Sequence, residues 1–338
     1  MGVPILGQRF ELEIREQPAV WRHIASSDRA ERLARGIEGK VVLVGSGSSL
    51  CVAQLGALAL RRRSVDAVAL AATEARLDRH AYEGAVVVAI SQSGRSSDLL
   101  DAIALLRPRR LIALTNTVDS PLAGAADVTI DIGAGAERAV PASKSVSATA
   151  AILLWAASVV GQDGRRDAPS LQRAADAVED WLLTGNLADL DLAARRIGSS
   201  RSVVVLGSDY GLPIANEMAL KMKEACYVHA EGFAAGEFRH GSVAMVDGST
   251  AVIGIVDDDA LDIVARPLRE VARAQPLRYT IGTPTIDDIP RAGPSIEAPF
   301  NTLAWLVTVQ MIALFAARAR GIESDSPRGL MKALVWNP

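Results

Sequence analysis

The chain has 338 residues, of which 49% are hydrophobic and 22% charged, and its formal net charge is −3. That length exceeds what one ordinary hydrophobic core organises and argues for about two domains of a globular protein. So mild a charge balance, with a pI near 5.9, gives no general attraction to nucleic acid or to an anionic membrane, so any anion must be held by a local site.

Cys51 and Cys226 are the two cysteines, with no CxxC pair. They imply neither a disulfide framework nor a zinc site and point to a reduced, cytoplasmic compartment. The first sixteen residues mix charges into apolar positions and do not read as a signal peptide. The longest apolar runs, 148–160 and 303–317, are short for a membrane span or carry polar residues. They are expected as buried helices.

In chain order, residues up to about Gly39 are charged and helical in pattern. Residues 41–44 are a valine-rich strand, Gly45-Ser46-Gly47-Ser48-Ser49 a tight loop, and a helix follows to about Arg63. The same sequence of strand, loop and helix recurs at 86–90, at Ser91-Gln92-Ser93-Gly94, and on to about Leu106. Residues 111–114 and 128–132 read as third and fourth strands, and 143–160 as a long apolar helix. Apolar strands alternating with helices predict a parallel sheet covered on both faces. Residues 161–200 read as a linker with one helix, near 170–183. The pattern then restarts. Residues 203–206 with Gly207 and Ser208 echo 42–46, 252–256 echo 86–90, and Ile281-Gly282-Thr283 echoes Thr115-Asn116-Thr117. An offset of about 165 residues with one element order predicts a duplication. The expected fold class is α/β, two tandem doubly wound parallel-sheet domains of the flavodoxin-like, three-layer kind. The expected division is a helical segment over 1–39, domains over 40–165 and 201–322, a helical linker over 166–200 and a tail over 323–338.

The loop Ser91-Gln92-Ser93-Gly94-Arg95-Ser96-Ser97 lies between a strand and a helix start. Backbone N–H groups at a helix N-terminus bind anions, serine hydroxyls add donors, and Gly94 allows close approach. A serine-capped helix with no ligand is the competing reading, although four serines exceed what a cap requires. The matching loop in the second half is Asp257-Asp258-Asp259, whose carboxylates would repel a phosphate. One anion site per chain is therefore expected, in the first half, with Ser48 and Ser49 at a neighbouring strand end.

Glu217, Lys221 and Glu224 stand at i, i+4 and i+7 on one helical face. An ordinary solvated Glu–Lys pair fits that spacing. The spacing alone favours that solvated pair, and the helix start at a parallel strand end is what lifts the reading of a lysine between two carboxylates that moves protons. His229 and His240 are read as loop histidines beside glycines, suited to proton transfer, in a spacing that matches no helical metal motif. His23 and His80 are read as surface residues. Lys332 lies in a tail broken by Pro327 and Gly329, where a lysine is ordinarily solvated.

The segments SQSGRSSD, NEMALKMKEACYVHAEGFAAGEFRHG and DSPRGLMK together resemble the double-SIS phosphosugar isomerase family. That family includes the isomerase domain of glucosamine-6-phosphate synthase and stand-alone SIS-type deaminases and deglycases. The resemblance spans nearly all of the chain from about Val41. It implies that Ser91, Gln92, Ser93 and Ser96 hold a 6-phosphate and that Ser49 and Val140 line the sugar site. Glu224 would be the base moving a proton between C1 and C2, supported by Glu217 and Lys221. His240 would open the ring from the partner subunit of a homodimer with a shared active site. Lys332 would form a Schiff base with the sugar carbonyl. Gly2 stands where the family synthase has a cysteine, and Ser242 follows Gly241 where a proline is usual. The ending Val335-Trp336-Asn337-Pro338 also differs from the synthase. With about forty residues before the first strand, a glutaminase domain and a helix-turn-helix are not expected.

The expected function is isomerisation of a 6-phosphosugar, foremost glucosamine 6-phosphate to fructose 6-phosphate and ammonia, without metal or organic cofactor. A deglycase, a plain isomerase on another sugar phosphate, and a non-catalytic sugar-phosphate sensor are the alternatives. The expected partner is a small phosphosugar, with neither nucleic acid nor membrane.

Overall fold

A computed structural model of the chain describes residues 5–78, 80–160, 167–283, 285–287, 289–294 and 300–332. The described residues fall into two compact units, each with one sheet. One takes its residues from 17–137, 144–175 and 331–332, the other from 5–16, 138–143 and 176–330.

The first unit holds five strands: β1 Val41–Gly45, β2 Ala67–Ala71, β3 Val86–Ser91, β4 Arg110–Thr115 and β5 Val128–Asp131. Every pairing is parallel, in the order β2-β1-β3-β4-β5. β1 and β3 are buried at every residue, which is why their sequences run apolar without alternation. Helices Ser48–Arg61 and Ser97–Leu106 make two of the crossovers. The apolar helix Lys144–Val160 is buried along most of its length and packs on Gln17–Ala25, Arg29–Gly36 and Ser48–Arg61. The Trp21 indole N–H donates to Ser147 Oγ at 3.0 Å in that layer.

The second unit repeats the plan. Its strands are β6 Ser202–Gly207, β7 His229–Ala234, β8 Thr250–Val256, β9 Leu277–Gly282 and β10 Arg291–Ala292, all parallel, in the order β10-β9-β8-β6-β7. Numbered from each unit's own first strand, both sheets run 2-1-3-4-5. This is the flavodoxin-like order, and the shared order is the duplication that the recurring pattern predicts. Gly45 and Gly207 close the first strand of each unit. A side chain on either would strike backbone in the first turn of the helix that follows, so both helices start tight against their strand ends.

Several elements go beyond the sequence reading, the short edge strand β10 among them. β2 and β7 were not expected; both flank the first strand of their sheets and carry alanine, glycine or charge. His229 therefore lies on a strand rather than a loop. The stretch read as one helix holds two, Asp167–Thr184 and Leu187–Ser199, the second capped by Asn186, whose side chain accepts from Asp189 N–H.

Helix Asn301–Ala319 has the length and apolarity of a membrane span, yet it is the buried core helix of the second unit. It packs on Gly211–Cys226 and Leu187–Ser199. The Cys226 thiol lies there, donating to the Ala313 carbonyl at 3.1 Å. Burial pushes it up to about 12, against a small opposing pull from Arg320. Thiolate is the reactive form, so Cys226 should resist a maleimide at pH 7.5 in native protein and react once the chain is unfolded, as read by peptide mass spectrometry.

Candidate active site

β3 ends at Ser91, and the loop 92–96 leads into helix Ser97–Leu106. The Ser91 hydroxyl accepts from Gly94 N–H at 3.0 Å and the Ser93 hydroxyl from Arg95 N–H at 3.3 Å. Each of these uses an acceptor lone pair and leaves the O–H able to donate to an anion. The Gln92 carbonyl accepts from Asn116 N–H at 3.1 Å and Gly94 O from Leu122 N–H at 3.1 Å. The loop is thereby pinned to the end of β4. Gly94 has φ +60°, and a Cβ there would run into the Ser120 side chain, so the position requires glycine. Ser96 occupies the N-cap position but makes no side-chain capping bond.

Beside this loop an open cleft of about 510 Å³ runs over the carboxyl ends of β3, β4 and β5, lined by Gln92, Asn116, Thr117, Asp131 and Glu137 among others. Ligands of parallel sheets collect at such ends. Ser49 lies half-buried in the first turn of Ser48–Arg61. In the second unit the matching loop is filled by its own acid. Asp257 accepts from Asp258 N–H at 3.0 Å and from Asn301 Nδ2 at 3.2 Å.

Helix Gly211–Cys226 follows β6 and carries Glu217, Lys221 and Glu224. Lys221 Nζ stands 2.6 Å from Glu224 Oε2 and 3.4 Å from Glu217 Oε1. The solvated-pair reading fails on burial, because the Lys221 side chain is 1% exposed, Glu217 0% and Glu224 22%. A buried ammonium persists only when paired. Of the three, Glu224 alone opens to solvent.

His240 is exposed, just past the short helix Ala235–Phe238. Its backbone N–H donates to Glu237 O at 3.0 Å. Buried Phe238, edge-on to Phe233 at 5.4 Å, anchors the segment and leaves the imidazole outward. His229 is also exposed, 3.6 Å from Glu231. The half-buried Val140 donates its N–H to Asp325 O at 2.9 Å, fixing the 138–143 segment to the start of the tail. Arg328 stacks over the Tyr227 ring at 4.3 Å. Residues 333–338, and with them much of the tail expected over the site, lie outside the described residues.

Lys332 is not simply solvated. Its Nζ donates to Glu137 Oε2 at 2.8 Å. The Glu137 side chain, 0% exposed, also accepts from Ser145 N–H at 3.0 Å and Ser145 Oγ at 2.7 Å. Burial works to raise this carboxyl, but the Lys332 charge and the Ser145 bonds outweigh it and hold Glu137 below the usual carboxylate range. Sequence reasoning missed Glu137, whose one available signal is its place three residues before Val140. By unit, Ser49, the anion loop, Glu137 and Lys332 belong with the first sheet; Val140, Glu217, Lys221, Glu224 and His240 belong with the second. Among the described residues no cluster of His, Cys, Asp or Glu could hold a metal ion.

The SIS domain matches residues 37–159 and 196–281, and the chain belongs to this family. The isomerising glutamine–fructose-6-phosphate aminotransferase of Sulfolobus acidocaldarius is 31% identical over 302 residues, 88% of this chain and 50% of that protein. The chain thus spans about half the length of the curated relatives it matches. The C-terminal domain of glucosamine-fructose-6-phosphate aminotransferase from Francisella tularensis superposes with a TM-score of 0.83 at 22% identity, covering 94% of this chain and 98% of that one. A glucosamine-6-phosphate deaminase from Thermotoga maritima gives 0.80 at 21% identity, covering 97% and 100%. At these identities the two structures show the shared fold.

Replacing Lys221 with methionine would leave Glu217 and Glu224 without the ammonium between them. Breaking a buried pair this way costs about 3–5 kcal/mol, so Lys221→Met should lower the denaturant midpoint far more than Lys223→Met on the same helix.

Proposed function

We propose that the chain is an aldose–ketose isomerase of 6-phosphosugars and that its specific reaction converts glucosamine 6-phosphate and water to fructose 6-phosphate and ammonia. The observation that carries this reading is the buried Glu217–Lys221–Glu224 set with Glu224 as its one solvent-facing carboxylate. Burial of two partners fixes the third, which is what a proton shuttle needs for positioning. The SIS family membership and the asymmetry between the serine loop and its aspartate counterpart support it.

In this reading Ser91, Gln92, Ser93 and Ser96 hold the phosphate, while Ser49 and Val140 face the sugar hydroxyls. His240, exposed in the single chain, serves a second copy in a homodimer and opens the sugar ring there. Glu224 removes the C2 proton of the open aldehyde, giving an enolamine, and returns it to C1. At the resulting C2 imine, Lys332 Nζ adds to C2 and ammonia leaves, giving a lysine–sugar iminium. Water then adds to C2 of that iminium, and the C2–Nζ bond breaks to release fructose 6-phosphate and the free amine. No step calls for a metal or an organic cofactor.

Purified protein should release ammonia from glucosamine 6-phosphate, and Glu224→Gln should lower kcat by about 10²–10⁴-fold with KM little changed. Isomerisation of other phosphosugars without ammonia release would withdraw the deamination and keep the isomerase. Tight sugar-phosphate binding with no turnover across a panel of phosphosugars would contradict both.

A further inference from the structure

We infer that Glu137 is the positioning residue of Lys332, holding its amine at the cleft beside the anion loop so that it meets a sugar carbonyl there. The inference rests on the Schiff-base role proposed for Lys332.

A lysine has a flexible four-carbon stem whose rotamer freedom is lost on being fixed. Lys332 stands in a segment with neither helix nor strand, after Pro327 and Gly329. Its own backbone therefore supplies little restraint. Glu137 supplies it from outside, through the 2.8 Å contact to Nζ. That carboxylate is itself fixed, because Ser145 gives it both a backbone and a hydroxyl hydrogen bond at the first turn of helix Lys144–Val160. A helix N-terminus also favours a negative charge. Position thus passes from a buried helix to Glu137 and from Glu137 to the amine. Glu137 lines the same cleft as Gln92, Asn116 and Thr117, so the amine is tethered to a residue of that cleft. A carboxylate placed only to bind sugar would have its oxygens open to the cleft. These oxygens are turned to Lys332 and Ser145 instead.

The test is borohydride trapping of fructose 6-phosphate on the full chain, with the modified lysine located by peptide mass spectrometry. Wild-type protein should trap the sugar at Lys332. Glu137→Gln should trap it at least about ten-fold more slowly, because a neutral amide holds the amine in place less tightly than the charge-assisted bond does. Binding of glucitol 6-phosphate, which has no carbonyl, should change by less than about two-fold in the same variant. In a double-mutant cycle, Glu137→Gln should lower turnover in the wild type but not in Lys332→Met, as expected when one residue acts through the other. Ser145→Ala leaves the carboxylate in place and should slow trapping in the same direction. If Glu137→Gln fails to fold, that variant decides the matter. Trapping at the wild-type rate in the folded Glu137 or Ser145 variant overturns the inference and leaves the isomerase reading standing. No trapping at Lys332 in wild-type protein, with Lys332→Met fully active, overturns the inference together with the Schiff-base role. Equal loss of glucitol 6-phosphate binding and trapping marks a structural role and overturns the inference alone.

Discussion

The Lys221 ammonium is removed from water, and the chemistry proposed for the second unit follows from how its charge is met. Coulombic attraction at 2.6 and 3.4 Å offsets desolvation only while both carboxylates stay in place. That demand fixes Glu217 and Glu224 on one helical face. It also fixes the helix, since Gly211–Cys226 is enclosed by β6, β7 and Asn301–Ala319. Glu217 is inside with the lysine, and Glu224 has one side on solvent. The arrangement gives a carboxylate that is held rigidly yet remains reachable by a substrate.

Duplication gave the chain two equivalent strand-end loops, and they have diverged in charge. In the first unit the serine loop spends acceptor lone pairs on its own N–H groups and keeps hydroxyl donors. In the second, Asp257 spends a carboxylate on Asp258 and Asn301 and presents negative charge. Two copies of one backbone plan thus carry a serine loop in one unit and a buried Glu–Lys–Glu set in the other. The tight strand-to-helix turns at Gly45 and Gly207 show that the backbone plan itself was kept while the side chains changed.

The central strands were readable because both faces of β1, β3, β6 and β8 are buried, which forces continuous valine and isoleucine runs. β2 and β7 escaped because burial on them is partial and alanine, glycine, His229 and Glu231 are tolerated there. The loop around Gly94 was visible from serine and glycine content alone. The status of Lys221 was not, since an i, i+4 pair looks the same solvated or enclosed. Its helix packs against one that begins eighty residues later, at Asn301. Glu137 carried no local pattern at all. One of its partners lies eight residues on and the other 195 residues on, and only folding brings them together.

The central claim is that Glu224 moves a proton between adjacent sugar carbons. Fructose 6-phosphate incubated with the protein in D₂O, followed by proton NMR, reports that step without requiring ammonia or net turnover. The account predicts deuterium at C1 with wild-type protein and none above background with Glu224→Gln, while Glu231→Gln exchanges as the wild type does. Exchange that persists in Glu224→Gln, or that never occurs in wild-type protein which binds the sugar, would contradict it.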